Sequence, residues 1–152
     1  MILSRWKYFV LVLGLPFACD STALDPLTSD VYVLESVDGS PPPRVIHSNE
    51  GYSSTIVWST LRLEEATATA VLVERVHSTF PDAPATDATE TRRYAYQVEG
   101  EDVLFSYRPP CPPNALCVAP PTGKLGPSTV TLSWGDFQPL RSPALYRLAE
   151  GG

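Results

Sequence analysis

The clearest structural signal in the chain lies at residues 93–107, which read RYAYQVEGEDVLFSY. Apolar side chains occupy every second position on both sides of a turn at Gly100-Glu101-Asp102. They are Tyr94, Tyr96 and Val98 before the turn and Val103, Phe105 and Tyr107 after it. Because successive strand residues point to opposite faces, this period of two places one face of each strand inward. The stretch therefore predicts a β-hairpin over residues 92–108.

Similar short stretches, rich in β-branched and aromatic residues and separated by Pro, Gly, Asn and Asp, recur along the chain. They predict six further strands, at Val31 to Val37, Arg44 to His47, Ser54 to Leu63, Thr69 to His77, Thr129 to Trp134, and Ala144 to Leu148. Residues 80–89 have the composition of a loop between the fourth and fifth strands. Sixteen prolines argue against long helices.

About eight strands in one domain indicate an all-β fold, an antiparallel meander. A closed barrel is the expected architecture, because closure removes the exposed strand edges that invite aggregation. A two-sheet sandwich is the alternative. We assign residues 31–150 to this domain.

The first eighteen residues have the parts of a bacterial secretory signal. A basic stretch with Arg5 and Lys7 precedes an apolar run, Tyr8 to Phe17, that is shorter than the roughly 20 residues a membrane-spanning helix needs. Residues 13–19, LGLPFAC, resemble a lipoprotein cleavage box, in which the cysteine is acylated and becomes the new N-terminus. We therefore predict a lipid on Cys19 and a flexible tether over residues 19–30. Cleavage after Ala23, which would remove Cys19, is the alternative.

The remaining two cysteines, Cys111 and Cys117, flank a turn-rich stretch, PPNAL. In an oxidising compartment they are expected to close a small disulfide loop. A metal site is the alternative, but Cys-x5-Cys is not a usual ligand spacing. The net charge of −6 disfavours nucleic acid as a partner and favours a soluble, monomeric domain.

The opening of the domain, residues 32–43, reads YVLESVDGSPPP. It resembles the first strand and turn of a group of uncharacterised bacterial lipoproteins, in which such a stretch follows a lipidated cysteine at a similar distance. The resemblance extends to Thr-rich strands, a later cysteine pair and a C-terminal aromatic-Arg. It implies a lipocalin-like small β-barrel and an envelope location, and it carries over no binding residues.

Catalytic motifs are absent from the sequence: Gly-x-Ser-x-Gly does not occur, and the two histidines, His47 and His77, each lie at the end of a predicted strand. We therefore expect no enzyme activity, no cofactor and no metal site. Arg92-Arg93 and Glu74-Arg75 lie on neighbouring predicted strands and are expected to form cross-strand ion pairs. A site for an anionic ligand is the alternative.

These observations predict a non-enzymatic envelope lipoprotein, anchored by its lipid to a membrane and facing the periplasm or the exterior. One hypothesis is that a small apolar molecule binds inside the barrel, lined by Tyr94, Tyr96, Phe105 and Trp134. The alternative is a structural module that binds another envelope protein through the Cys111 to Cys117 loop.

Overall fold

The computed structural model describes residues 29–115 and 117–149. The predicted signal segment, Cys19 and most of the tether lie outside the described residues. Nine strands lie in the described part of the chain: β1 (Ser29–Val37), β2 (Arg44–Asn49), β3 (Tyr52–Glu64), β4 (Thr69–Thr79), β5 (Thr86–Glu99), β6 (Asp102–Tyr107), β7 (Thr122–Leu125), β8 (Thr129–Ser133) and β9 (Ala144–Leu148). Three 3₁₀ turns span Glu65–Thr67, Gly135–Phe137 and Pro139–Arg141.

Eight of these strands close into an antiparallel barrel. Each strand from β3 to β8 pairs with the next along the chain, and β1 pairs with both β9 and β3. On one side of β1, Leu34 faces Tyr146, and on the other Tyr32 faces Leu61. The predicted antiparallel barrel is confirmed.

The strand β2 lies outside this closed ring. The C-terminal half of β3 pairs with β1 from Thr60 onward, whereas its N-terminal half, from Tyr52 to Ile56, pairs with β2. The first part of β5 pairs only with β4, because the pairing of β5 with β6 begins at Tyr94. Residues 44–49, 52–56, 75–79 and 86–92 therefore form a sheet that continues beyond the barrel, which we call the extended sheet.

The barrel interior is filled by side chains from every second position of its strands. The largest fully buried apolar side chains on the barrel strands, each at most 2 % exposed, are Tyr94, Tyr146, Leu61, Leu72, Leu132, Val37, Val103 and Val130; Ile56 is equally buried where β3 continues into the extended sheet. Burying one such side chain contributes about 1.5–3 kcal/mol to the free energy of unfolding. Tyr96, Phe105 and Tyr107 pack against this core while remaining partly exposed.

The connections between strands divide unequally between the two ends of the barrel. Because neighbouring strands are antiparallel, three short connections lie at the same end of the barrel as Ser29 and the end of β9. We call this the turn end, and its connections are residues 65–68, 100–101 and 126–128. The opposite end, which we call the mouth end, carries the longer connections, residues 38–51 with β2 among them, 80–85, 108–121 and 134–143. The extended sheet also rises from the mouth end.

The structure corrects the sequence-based prediction at two places. Thr86 to Thr89, predicted as loop, begin β5, because the last residues of β4 supply their pairing partners, such as Ser78 for Thr86. β7 was not predicted, since Thr-Gly-Lys-Leu has turn character. A Cβ at Gly123 would lie 3.0 Å from the Phe105 ring and 3.2 Å from Val103 Cβ. Glycine, which has no side chain, therefore allows β7 to lie this close to the two β6 side chains.

The boundaries and the strand count also differ. β1 begins at Ser29, two residues before the predicted domain start at Val31. The predicted number of about eight equals the number in the barrel only because the unpredicted β7 takes the place of β2, which lies outside.

Candidate functional site

Three charged side chains meet inside the barrel where it opens toward the mouth end. Glu74 on β4 is 1 % exposed, and each of its carboxylate oxygens contacts a different arginine. Glu74 Oε2 accepts a hydrogen bond of 3.0 Å from Arg92 Nη1 on β5, and Oε1 contacts Arg141 Nη2. A buried carboxylate is tolerated only when it is paired in this way.

The local sequence explains why Glu74 points inward. It lies between Leu72 and Val76 at the period of two that defines the buried face of β4. On the adjacent strand Glu74 faces Ser59, which is fully buried and hydrogen-bonded to Tyr146 Oη at 3.0 Å. Glu74 and Ser59 therefore place a polar layer within an interior that is apolar below them and continues above them with the buried Ile56 and Val76.

Arg141 reaches this layer from the 3₁₀ turn Pro139–Arg141 between β8 and β9. Its guanidinium carbon lies 4.3 Å from the centre of the Trp134 ring, a cation–π arrangement, and Nη1 donates a long bond of 3.4 Å to Gln138 Oε1. Arg141 is 3 % exposed, yet its Nε has no hydrogen-bond partner among the described residues. A buried donor without a partner costs about 1–3 kcal/mol, and Arg141 Nε therefore retains the capacity to donate one more hydrogen bond.

Burial and pairing set the charge states of this layer. Burial lowers the pKa of Arg92, but attraction to Glu74 and other neighbours outweighs it, so the pKa is raised and the guanidinium stays charged. Burial raises the pKa of Tyr94, just below, to about 12, and burial also raises the pKa of Tyr146. Arg92 is therefore charged, and Tyr94 and Tyr146 are neutral, at physiological pH.

A half-open cleft of ≈ 290 Å³ lies above the charged layer, between the extended sheet and the turn that carries Arg141. We call it the mouth cleft. The residues that line it are Ile46, His47, Tyr52, Ser54, Val76, Glu90, Arg92, Gln138 and Arg141. Its lining thus combines two guanidiniums and one carboxylate with hydroxyl, amide and imidazole groups.

A smaller recess of ≈ 70 Å³ adjoins the mouth cleft and shares Arg92 and Gln138 with it. Tyr94, Tyr107 and Trp134 form its aromatic walls, together with Val118 and Ala119 of the long β6–β7 connection. The mouth end therefore holds two neighbouring recesses on either side of one charged side chain.

The structure separates the four aromatic residues that were predicted to line a ligand cavity. Tyr94 and Trp134 line the recess of ≈ 70 Å³, whereas Tyr96 and Phe105 line another of ≈ 320 Å³. Tyr94 and Phe105 are in contact, with ring centres 5.8 Å apart. The four residues thus divide between two recesses and pack against the filled core.

Cys111 and Cys117 form a disulfide bond, with their Cα atoms 6.2 Å apart, as predicted. The loop that they close lies at the mouth end. Tyr107 Oη donates a hydrogen bond of 2.7 Å to the Val118 carbonyl oxygen and so ties the end of the loop to the barrel.

The two histidines have different surroundings. His47 lines the mouth cleft and its ring lies 5.4 Å from that of Tyr52. His77 Nδ1 lies 3.1 Å from Asp87 Oδ1 on the neighbouring strand. Among the described residues, no three His, Cys, Asp or Glu side chains are grouped so that they could hold a metal ion.

Sequence reasoning expected cross-strand ion pairs between Arg92-Arg93 and Glu74-Arg75, and the structure contains the pair of Arg92 with Glu74, whose burial was not predicted. The position of Glu74 between two inward apolar residues was the signal that its side chain is buried. Arg141 and Gln138 were missed, because they come from an irregular connection in which no periodicity reveals which side chains turn inward.

Together, the fold and the cleft define a closed eight-stranded β-barrel with a guanidinium-lined cleft at one end. Comparisons with protein-family models, with curated proteins and with solved structures found no match. In the part of the chain that the structure describes, no helix is long and apolar enough to cross a membrane.

Proposed function

We propose that this chain is a non-enzymatic envelope lipoprotein that binds its partner at the mouth end of the barrel. In this proposal the signal segment directs export, acylated Cys19 fastens the protein to a membrane, and the barrel acts as a rigid support for the mouth-end loops. The observation that carries it is the unequal distribution of connections between the two ends of the barrel.

The position of Ser29 in the fold indicates which end of the barrel would lie near the membrane. The described chain enters the barrel through Ser29 at the turn end, and about ten residues separate Cys19 from this point. An extended chain of that length reaches at most roughly 35 Å. A lipid on Cys19 would therefore hold the turn end near the membrane and leave the mouth end facing away from it.

The mouth end has the features of a recognition surface on a fixed scaffold. It carries the disulfide-closed loop, the connection from Phe80 to Ala85 and the mouth cleft. The disulfide and the bond from Tyr107 to Val118 restrict the β6–β7 connection before any partner binds. Such restriction lowers the entropy lost on binding and favours affinity.

The interior of the barrel favours a partner-binding module over a carrier of an apolar molecule. Its central positions are filled by large buried side chains such as Leu72, Leu132 and Tyr146. The aromatic residues expected to line a ligand cavity divide between two recesses. An apolar ligand inside the barrel stays a prediction, which native mass spectrometry of protein from its own host would test.

A test of the proposal uses a photoreactive amino acid at exposed positions of the two ends. Asp82 and Asn114 serve for the mouth end, and Glu101 and Pro127 serve as matched controls at the turn end. After illumination of intact cells, we expect protein adducts from the mouth-end positions only. Adducts confined to the turn end, or formed equally at both ends, would contradict the proposal.

The lipid is tested separately. Mass spectrometry of the mature N-terminus should find an acylated Cys19, and Cys19→Ser should release the protein from the membrane fraction. The double change Cys111→Ser and Cys117→Ser is the matched control and should leave the protein in that fraction. A mature chain that begins at Leu24 would exclude the anchor.

A further inference from the structure

The two guanidiniums of the charged layer are only partly satisfied by the protein. Glu74 is the one fully buried carboxylate among the described residues, and its two oxygens are divided between Arg92 and Arg141. Beyond Glu74, Arg141 has the long bond to Gln138 and an Nε without a partner in the described chain. A guanidinium has five donors in a planar fork that matches a carboxylate, so Arg141 retains donor capacity at the edge of the mouth cleft.

A second carboxylate, that of Glu90, already sits on Arg92 at the rim of the cleft. Glu90 contacts Arg92 Nη2, but its side chain is 46 % exposed. Pairs of this kind contribute little, because water solvates both partners when they separate. Glu90 is therefore a weakly held carboxylate on a charged arginine whose other contact, to Glu74, is buried.

The remaining lining of the cleft indicates what kind of acid fits. Tyr52 Oη and Ser54 Oγ lie 2.5 Å apart on one wall, and the Gln138 amide lies on the opposite side. Hydroxyl and amide groups of this kind form hydrogen bonds with a hydroxylated molecule. A volume of ≈ 290 Å³ lies at the small end of ligand sites and suits a molecule the size of one sugar ring.

We propose that the mouth cleft binds a small hydroxylated carboxylic acid, such as a sugar acid, whose carboxylate displaces Glu90 and pairs with Arg92 and Arg141. The hydroxyl groups of the ligand then meet Tyr52, Ser54 and Gln138. This inference rests on the proposed function only in treating the mouth end as the recognition end, and it does not depend on the lipid.

Isothermal titration calorimetry of the full-length protein in detergent tests the proposal, with glucuronate as the acid and glucose as its neutral control. We expect saturable binding of glucuronate that weakens as salt is added, and no saturable binding of glucose. Saturable binding of both sugars alike, or of neither, would overturn the proposal.

Two variants on the same strand give opposite expected effects. Arg92→Gln removes the central cation and should weaken glucuronate binding about tenfold. Glu90→Gln removes the competing carboxylate and should strengthen binding roughly two- to fivefold. Because a misfolded protein does not bind more tightly, the gain in Glu90→Gln keeps the test decisive even if Arg92→Gln folds poorly. A weaker affinity in Glu90→Gln would contradict the displacement of Glu90.

Two controls complete the experiment. Glu99→Gln changes a charge at the far end of the same strand and should leave affinity unchanged. N-acetylglutamate supplies a carboxylate of peptide type, and if it binds more tightly than glucuronate the ligand is a peptide acid and the sugar-acid assignment is overturned. If cross-links form at the mouth end but glucuronate does not bind, only this inference is overturned. If glucuronate binds but cross-links form at the turn end, only the proposed function is overturned.

Discussion

The lower and upper parts of the same three strands differ in what they turn inward. In the barrel, β3, β4 and β5 contribute Leu61, Leu72 and Tyr94, which are at most 2 % exposed. From the level of Glu74 upward, the inward positions mix polar side chains, such as Arg92 and Ser54, with the buried apolar Ile56 and Val76. The lower part is an apolar core, whereas the upper part combines buried apolar side chains with the polar lining of the mouth cleft.

This difference separates two tasks that a small barrel must perform. The apolar layer supplies the free energy that holds the sheet closed. The polar layer adds little stability, because pairing buried charges offsets a desolvation cost of several kcal/mol per ion. Its position at the opening of the barrel supports the proposed binding of an acid in the mouth cleft.

The largest expected effect comes from breaking the charged layer. Glu74→Ala leaves Arg92 and Arg141 close together without their shared carboxylate and should lower the free energy of unfolding by about 3–5 kcal/mol. Urea denaturation followed by circular dichroism measures this loss. A loss below about 1 kcal/mol would mean that water reaches the layer and that the two parts of the strands are less distinct than their burial indicates.

The control replaces the whole layer rather than one member. Glu74→Leu, Arg92→Leu and Arg141→Met together remove every charge and fill a similar volume. This triple variant should be at least as stable as the original chain, because apolar replacements of buried ion pairs are often neutral or stabilising. It should also lose glucuronate binding, which would separate the role of the layer in binding from stability.

The next largest loss in the free energy of unfolding is expected from a change in the apolar layer alone. Leu72→Ala removes a fully buried side chain and should lower the free energy of unfolding by about 3 kcal/mol, since the rigid barrel wall cannot collapse into the cavity. Leu104→Ala, on the outward face of β6 with Leu104 44 % exposed, is the matched control and should change stability by less than about 0.5 kcal/mol. Equal losses in the two variants would contradict a packed interior.

Regular alternation made the apolar layer predictable from the sequence. The hairpin of β5 and β6 was predicted because its inward residues recur at every second position. β7 escaped prediction because Gly123 contributes space rather than a side chain, and a missing side chain leaves no hydrophobic signal. The strand is recognisable only once Phe105 and Val103 are known to pack against it.

The polar layer was less predictable for two physical reasons. A glutamate on a strand is normally solvated, so residue type alone does not reveal that Glu74 is buried, although Leu72 and Val76 mark its face as buried. Arg141 comes from an irregular connection, and its contact with Glu74 depends on how the chain returns from β8 to β9. Such long-range meetings are set by the closed fold and leave no local pattern.

The smallest expected effect is the pH dependence of stability that arises from Tyr94, which lies at the boundary between the two layers. Burial raises the pKa of Tyr94 to about 12, above the ordinary value near 10, so the folded state keeps this proton longer than the unfolded state does. The resulting stability is complete below about pH 10 and is lost as pH rises toward 12, a loss of about 2–3 kcal/mol for a shift of two units. Urea denaturation between pH 9 and pH 12 should show this decline.

Tyr94→Phe keeps the ring and should make the decline shallower, with Tyr146 responsible for part of what remains. If both proteins decline equally, Tyr94 is solvated through the recess of ≈ 70 Å³ that it lines, and the apolar layer begins one level lower in the barrel.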